Sequence, residues 1–181
     1  LIGSTVAKRY AQAFFEIAEE EKKLEEYYRE LNAINEIIEG NDELQAFLSN
    51  PIVEQKDKKN VIEIILEKVK PSSITANFIR LLTDKQRITL FKEILEAYRE
   101  KMDEALNILR VQVKTAFPLS PELEEKLREF LVRSTGKRVE MELVEDRTLL
   151  GGLVVKIGDL VYDNSIKTQL NKIRNLLGEE K

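Results

Sequence analysis

Leu109-Arg110-Val111-Gln112-Val113-Lys114-Thr115-Ala116-Phe117 is where the sequence changes its period. Leu109, Val111, Val113, Thr115 and Phe117 alternate with Arg110, Gln112 and Lys114, so alternate side chains share a face, as they do on a strand. Upstream of this stretch the apolar residues recur at helical spacing. Downstream, strands and helices are mixed. The switch divides the chain into a helical part at 1–106 and a small α/β part at 107–181, with no internal repeat, low-complexity segment or long linker.

Ser120-Pro121-Glu122, just past the strand, is a strong helix start: a capping hydroxyl, a proline in the first turn and an acid at the positive helix end. That helix is expected to end near Gly136. Val139, Met141 and Leu143 alternate with Glu140 and Glu142 as a second strand, and Leu153, Val155 and Ile157 mark a third. Gly158-Asp159 suits a type II′ hairpin turn that returns through Leu160-Val161-Tyr162. A final helix places Ile166, Leu170, Ile173 and Leu177 on one face. The expected order is strand–helix–strand–strand–helix.

In the other direction the first hundred residues read as six helices with short loops, a pattern that predicts a six-helix bundle and a mainly α fold. Ser4 is placed to cap the first, which runs to about Glu20. The second spans roughly Lys22 to Glu39 and stops before Gly40. Asp42 is placed to cap a third that ends near Ser49, since Pro51 cannot continue it. The fourth covers about Glu54–Val69, the fifth begins at Ser72–Ser73 and ends near Asp84, and the sixth runs from about Ile88 to near Leu106.

Composition narrows the function. With 34% charged and 43% hydrophobic residues the chain has the balance of a globular protein. No apolar run approaches the roughly 20 residues of a membrane span, and no secretory signal is expected from the first residues. There is no His, which removes the commonest general base and metal ligand, and no Cys, which removes disulfides and thiolate chemistry and fits a reducing compartment. The net charge of −4 argues against a nucleic-acid partner. The first 105 residues hold 16 basic and 21 acidic side chains and the remainder 13 and 12, so the charge balance shifts near the point where the period changes.

No residues present themselves for catalysis, metal or cofactor binding. The carboxylates fall mostly on polar helix faces, and Asp159 and Asp163 read as turn and capping residues. Gly151-Gly152 lacks both the P-loop Lys-Ser/Thr pair and the dinucleotide spacing. A bulge or a close backbone approach at the start of a strand explains these glycines better.

The first and fifth helices carry more apolar surface than a helix needs to face one core. Val6, Tyr10, Ala13 and Ile17 form a narrow stripe with Phe14 at its edge, and Ala7, Ala11, Phe15 and Ala18 widen it to roughly 200°, against the about 100° of an ordinary surface helix. Ile74, Phe78, Ile79, Leu81 and Leu82 cover roughly 160° on the fifth helix. The sixth, with Ile88, Phe91, Ile94, Leu95, Tyr98 and Met102, is narrower. Two readings follow from this surplus: a central position in the bundle, or a groove for the amphipathic helix of a partner.

Several segments together bear a family resemblance. They are Ala7-Lys8-Arg9-Tyr10-Ala11-Gln12-Ala13-Phe14-Phe15; Phe47-Leu48-Ser49-Asn50-Pro51; Asn77-Phe78-Ile79-Arg80-Leu81-Leu82 with Arg87; Val113-Lys114-Thr115-Ala116-Phe117-Pro118-Leu119; and Leu149-Leu150-Gly151-Gly152-Leu153-Val154-Val155-Lys156-Ile157-Gly158-Asp159 continuing through Tyr162-Asp163-Asn164-Ser165-Ile166-Lys167 to Gln169-Leu170. In order and spacing the chain resembles the delta subunits of bacterial F-type ATP synthases, which are homologous to the mitochondrial oligomycin-sensitivity-conferring protein.

The resemblance implies a non-catalytic stator subunit without a cofactor, present as a single copy in a hetero-oligomeric complex. Its helical part would bind the N-terminal helices of alpha subunits in a groove between the first and fifth helices. Carried onto this sequence, the groove candidates are Tyr10, Ala13, Phe14, Ile17, Asn77, Phe78, Leu81 and Leu82. The 107–181 part would contact the b subunits of the peripheral stalk. The resemblance further implies a place at the cytoplasmic face of a bacterial plasma membrane, held there through the complex and not by insertion. A helical adaptor for some other partner is the alternative.

Overall fold

The computed structural model describes residues 2–158 and 160–178; for 2–4 and 173–178 the description is of the backbone alone. Six α-helices come first: α1 (Ile2–Glu20), α2 (Leu24–Glu39), α3 (Asp42–Ser49), α4 (Gln55–Val69), α5 (Ser73–Asp84) and α6 (Phe91–Ala105). After them come β1 (Ile108–Thr115), α7 (Pro121–Thr135), β2 (Arg138–Glu145), β3 (Leu153–Ile157), β4 (Leu160–Asp163) and α8 (Ile166–Gly178). The chain separates into two compact units, 1–102 and 103–181, so the division falls inside the last turns of α6.

The helix ends follow local chemistry, with some corrections to the expectations above. α1 begins at Ile2, which puts Ser4 within the helix and not at its cap. The cap of α3 is Asn41, whose side chain accepts from the Leu44 N–H at 3.0 Å; Asp42 sits one position later, as an acid in the first turn. Ile88–Leu90 is a 3₁₀ turn, and the α-helical hydrogen bonding starts only at Phe91. Gly40 ends α2 in a right-handed conformation, so its role there does not draw on glycine's freedom.

The centre of the first unit is aromatic. Phe14 of α1 stacks on Phe78 of α5 with ring centroids 4.3 Å apart, and it also meets Tyr27 of α2 at 5.7 Å and Tyr98 of α6 at 5.6 Å. Such contacts add about 0.5–1.5 kcal/mol each to the burial of the rings. Burial makes the phenol oxygens costly unless paired. Tyr98 donates to the Leu24 carbonyl at 3.0 Å, and Tyr27 donates to the Glu21 carboxylate. Burial first, and then that carboxylate, push the Tyr27 phenol up from 10.0 to about 12.

A polar lock sets the start of α5 against α2. Glu30 accepts from the Ser72 N–H at 2.8 Å, from the Ser72 hydroxyl at 2.7 Å and from the Thr75 hydroxyl. The Ser72 hydroxyl in turn accepts from the Thr75 N–H as the helix cap. Glu30 thereby places a negative charge at the positive end of α5 and satisfies the Ser72 N–H, which the helix itself cannot.

The second unit is a four-stranded sheet in the order β2-β1-β3-β4. β1 and β2 run parallel, joined by α7, while β3 pairs antiparallel with β1 and with β4. The segment returning through Leu160-Val161-Tyr162 is a strand in its own right, so the order is strand–helix–strand–strand–strand–helix and the three-strand summary is corrected. Gly158 has φ +55, as a primed hairpin turn requires at its first position; Asp159 lies outside the described residues. One sheet face, with Val111, Val113, Val139 and Val155, is buried together with Leu131 and Leu127 of α7. The opposite face is polar, and there Arg110 bridges Asp103 at 2.7 Å and Glu140 at 2.5 Å.

The two glycines before β3 allow close approach to the start of α8. A Cβ on Gly152, which has φ +78, would lie 2.4 Å from the Asn164 carbonyl oxygen, and one on Gly151 would meet Ile166. The Ile166 N–H donates to the Gly151 carbonyl at 3.0 Å, and the Asn164 N–H to the Leu153 carbonyl at 3.1 Å. Asp163 accepts from the Ser165 N–H and the Thr168 hydroxyl, and Ser165 accepts from the Thr168 N–H. Asp163 is thus a capping residue. Of the apolar stripe on α8, Ile166 and Leu170 are exposed, and the side chains of Ile173 and Leu177 lie outside the described residues.

Two outcomes test these assignments. Gly152→Ala should cost about 2–3 kcal/mol, combining left-handed strain with the carbonyl clash, whereas Gly136→Ala, at φ +68 in open space, should cost only about 1 kcal/mol. Urea midpoints of the two variants check this, and equal losses would show that the Asn164 contact relaxes. Stability should also hold up to about pH 10 and fall toward pH 12. There the unfolded chain has released the Tyr27 proton that the folded one still binds. Denaturation across that range should show a shallower fall in Tyr27→Phe.

Candidate functional site

The Phe14–Phe78 stack marks the boundary between core and surface on both helices. Counted at about 100° per residue from Phe14, the buried Ala7, Ala11, Phe15 and Ala18 lie to one side. Tyr10, Ile17, Val6 and Ala13 lie roughly 40° to 100° to the other. The same count from Phe78 puts the buried Thr75, Ile79, Leu82 and Thr83 on the core side, with Ile74, Leu81 and Asn77 at roughly 40° to 100° opposite. Each helix therefore carries an apolar shoulder beside the shared ring pair.

The eight candidate residues separate accordingly. Phe14, Phe78 and Leu82 are 1%, 8% and 0% exposed and form the floor and the core beneath it. Ile17 at 42% and Leu81 at 44% are large apolar side chains left in solvent. Ala13 and Asn77 are exposed and Tyr10 is half-buried. Val6 and Ile74, both half-buried on the same shoulders, belong with them. The same angular count finds these two in the sequence once the ring pair is taken as its origin.

Polar side chains rim the α5 side. Arg80 donates two hydrogen bonds to Glu63 of α4, at 2.7 and 2.8 Å, and a third to Asn77 at 3.2 Å. This forked pairing lowers the Glu63 carboxyl below its usual range and raises the Arg80 guanidinium. Lys59 meets Asp84 at 2.9 Å one turn further on.

No constellation for catalysis stands beside this surface. A cleft of about 190 Å³ near Leu48, Pro51 and Lys58, and another of about 210 Å³ beside Glu63 and Arg80, are smaller than the roughly 300 Å³ of an ordinary ligand pocket. Their charged groups already have partners, Lys58 on the Leu48 carbonyl at 2.7 Å and Arg80 on Glu63. Among the described residues no group of His, Cys, Asp or Glu is arranged to hold a metal ion. No helix among them is long and apolar enough to cross a membrane.

The second unit also leaves apolar side chains in solvent. Leu160, Val161 and Tyr162 are exposed along β4, which among the described residues pairs with β3 alone. Phe117 and Phe130 are exposed as well. Singly such residues are ordinary; in number they mark surface that a partner can cover.

Comparisons with known proteins place the chain in a family. Residues 6–177 match the family described as ATP synthase delta (OSCP) subunit. The chain is 50% identical over 179 residues to ATP synthase subunit delta of Syntrophus aciditrophicus (strain SB), covering 99% of each chain. It is 42% identical over 172 residues to ATP synthase subunit delta of Desulfatibacillum aliphaticivorans, covering 95% of this chain and 94% of that one. Among solved structures, a chain of the Toxoplasma gondii mitochondrial ATP synthase hexamer, determined by cryo-EM, shares the fold with a TM-score of 0.70 at 18% identity, over 94% of this chain and 96% of that one. A match running almost from end to end, and a relative at half identity over its full length, establish that this chain belongs to the ATP synthase delta (OSCP) subunit family.

Proposed function

We propose that this protein is a non-catalytic stator subunit of an F-type ATP synthase, holding the catalytic head to the peripheral stalk while the central shaft turns. The observation that carries the reading is the paired apolar shoulder of α1 and α5 beside a buried aromatic floor, in a member of this family. In this reading 1–106 is a six-helix bundle whose α1–α5 face takes the N-terminal helix of an alpha subunit. Tyr10, Ala13, Ile17, Asn77 and Leu81 touch that helix, and Phe14, Phe78 and Leu82 hold the floor in shape. An amphipathic helix laid on two apolar shoulders buries its own apolar stripe and theirs together.

The 107–181 part takes the b subunits of the peripheral stalk, and the exposed apolar residues on β4 and α8 support a partner-facing surface there. A stator works through stiffness and affinity at two surfaces, and no reaction step passes through it. In this reading the protein sits at the cytoplasmic face of a bacterial plasma membrane, peripheral through the complex, as one copy with no nucleic acid and no cofactor.

Ile17 and Leu81 are the sites to test, because Phe78 is stacked in the core and its replacement would disturb folding. Leu81→Asp and Ile17→Asp should each weaken binding of a peptide of the cognate alpha-subunit N-terminal helix at least about tenfold, an effect worth about 1.4 kcal/mol. Calorimetric titration of the full chain measures it, with circular dichroism to confirm an intact fold. Unchanged affinity in both variants, or no saturable binding of the peptide by the unaltered chain, would refute the assignment.

A further inference from the structure

We propose that Glu30, Glu63 and Gln55 are positioning residues that pin α5 at its start, middle and end, so that load on this helix passes into α2 and α4; this rests on the reading of the chain as a stator subunit. Apolar burial holds α5 against the core but is non-directional, so burial alone sets no unique roll or register for the helix. Hydrogen bonds are directional, and a series of them along a helix fixes both. α5 spans twelve residues, Ser73–Asp84, which is about three turns, and each turn meets one polar side chain from a neighbouring helix.

The start is pinned from α2. Glu30 accepts from the Ser72 N–H at 2.8 Å and from the hydroxyls of Ser72 and Thr75, and Thr75 is fully buried. Only Lys70 and Pro71 separate this cap from the end of α4. Lys70 has φ +51, a left-handed conformation that a side chain makes costly. Such backbone persists where its surroundings hold it, and Glu30 holds the next residue but one.

The middle and the end are pinned from α4. An isolated exposed ion pair contributes little, but Arg80 forks onto Glu63 through two hydrogen bonds, at 2.7 and 2.8 Å, and the fork fixes its orientation. At the last turn the Gln55 amide donates to the Asp84 carbonyl at 2.8 Å, one of the carbonyls that α5 cannot satisfy itself. Lys59 meets the carboxylate of the same residue at 2.9 Å. The three pins join residues 42, 17 and 29 positions apart, so each ties α5 to a distant stretch of the chain.

The test uses the full chain. In native-state hydrogen exchange, Glu30→Gln should speed the Thr75 and Ala76 amides about tenfold, Glu63→Gln those of Arg80 and Leu81, and Gln55→Ala those of Asp84 and Lys85. Exchange elsewhere should hold. Unchanged exchange along α5, or faster exchange throughout the chain in step with the melting temperature, overturns the positioning role. In a second arm, surface plasmon resonance follows the triple variant on catalytic heads stripped of this subunit, at a salt concentration that screens the two charges removed. It should dissociate at least about tenfold faster, with an association rate within about twofold of the unaltered chain's. Circular dichroism at the same temperature checks folding, and the three single variants run beside it, so a triple variant that fails to fold leaves the comparison intact. Unchanged dissociation severs the pins from the load and overturns the proposal while the stator reading stands. Absence of binding by the unaltered chain overturns both.

Discussion

The first unit depends on the stack of Phe14 on Phe78 more than on any other contact. It joins α1 to α5 directly, and through Tyr27 and Tyr98 it draws α2 and α6 to the same centre. Because each ring sits where the buried arc of its helix ends, the pair also decides where the surface begins. Small residues at Ala7, Ala11 and Ala18 let neighbouring helices close on the core side of α1, and the large residues displaced from that side, Tyr10 and Ile17, form the outer shoulder. The core and the exposed apolar shoulder are two consequences of one ring contact.

Polar groups finish what the rings begin. The Glu30 carboxylate anchors the first turn of α5, so the shoulder on that helix is held by a capped and charge-complemented start. At the far side of the face, Arg80 ties α5 to α4 through Glu63 and steadies Asn77. The exposed shoulder of α5 is thus held in order by contacts within the chain.

In the second unit the analogous constraint is a close approach of backbone. Gly151 and Gly152 let the chain entering β3 lie against the residues that start α8, and the Asp163 and Ser165 caps hold that junction. The sheet is completed by β4, whose Leu160, Val161 and Tyr162 are exposed, while the buried cluster gathers residues of β1, β2, β3 and α7. The polar sheet face, with Arg110 between Asp103 and Glu140, needs no such cover.

Periodicity was enough to find every α-helix among the described residues and the first strand just after 107, because burying one side of an element imposes period 3.6 or 2 on its apolar residues whatever the neighbours are. It was also enough to single out α1 and α5 as having surplus apolar surface. It was not enough to place the cap of α3, since Asn41 and Asp42 are both good caps and only backbone geometry chooses between them. Nor could it separate Phe14, Phe78 and Leu82 from Ile17 and Leu81. All five are apolar and lie on neighbouring faces, and which of them meets another helix depends on where α2, α4 and α6 pass. The Glu30–Ser72 lock and the Arg80–Glu63 fork join residues 42 and 17 positions apart, a separation at which no local pattern operates. The sequence by itself determined which helices have apolar surface to spare; the tertiary structure alone decided which part of it remains exposed, because burial is a property of the packed neighbours and not of the helix that carries the residue.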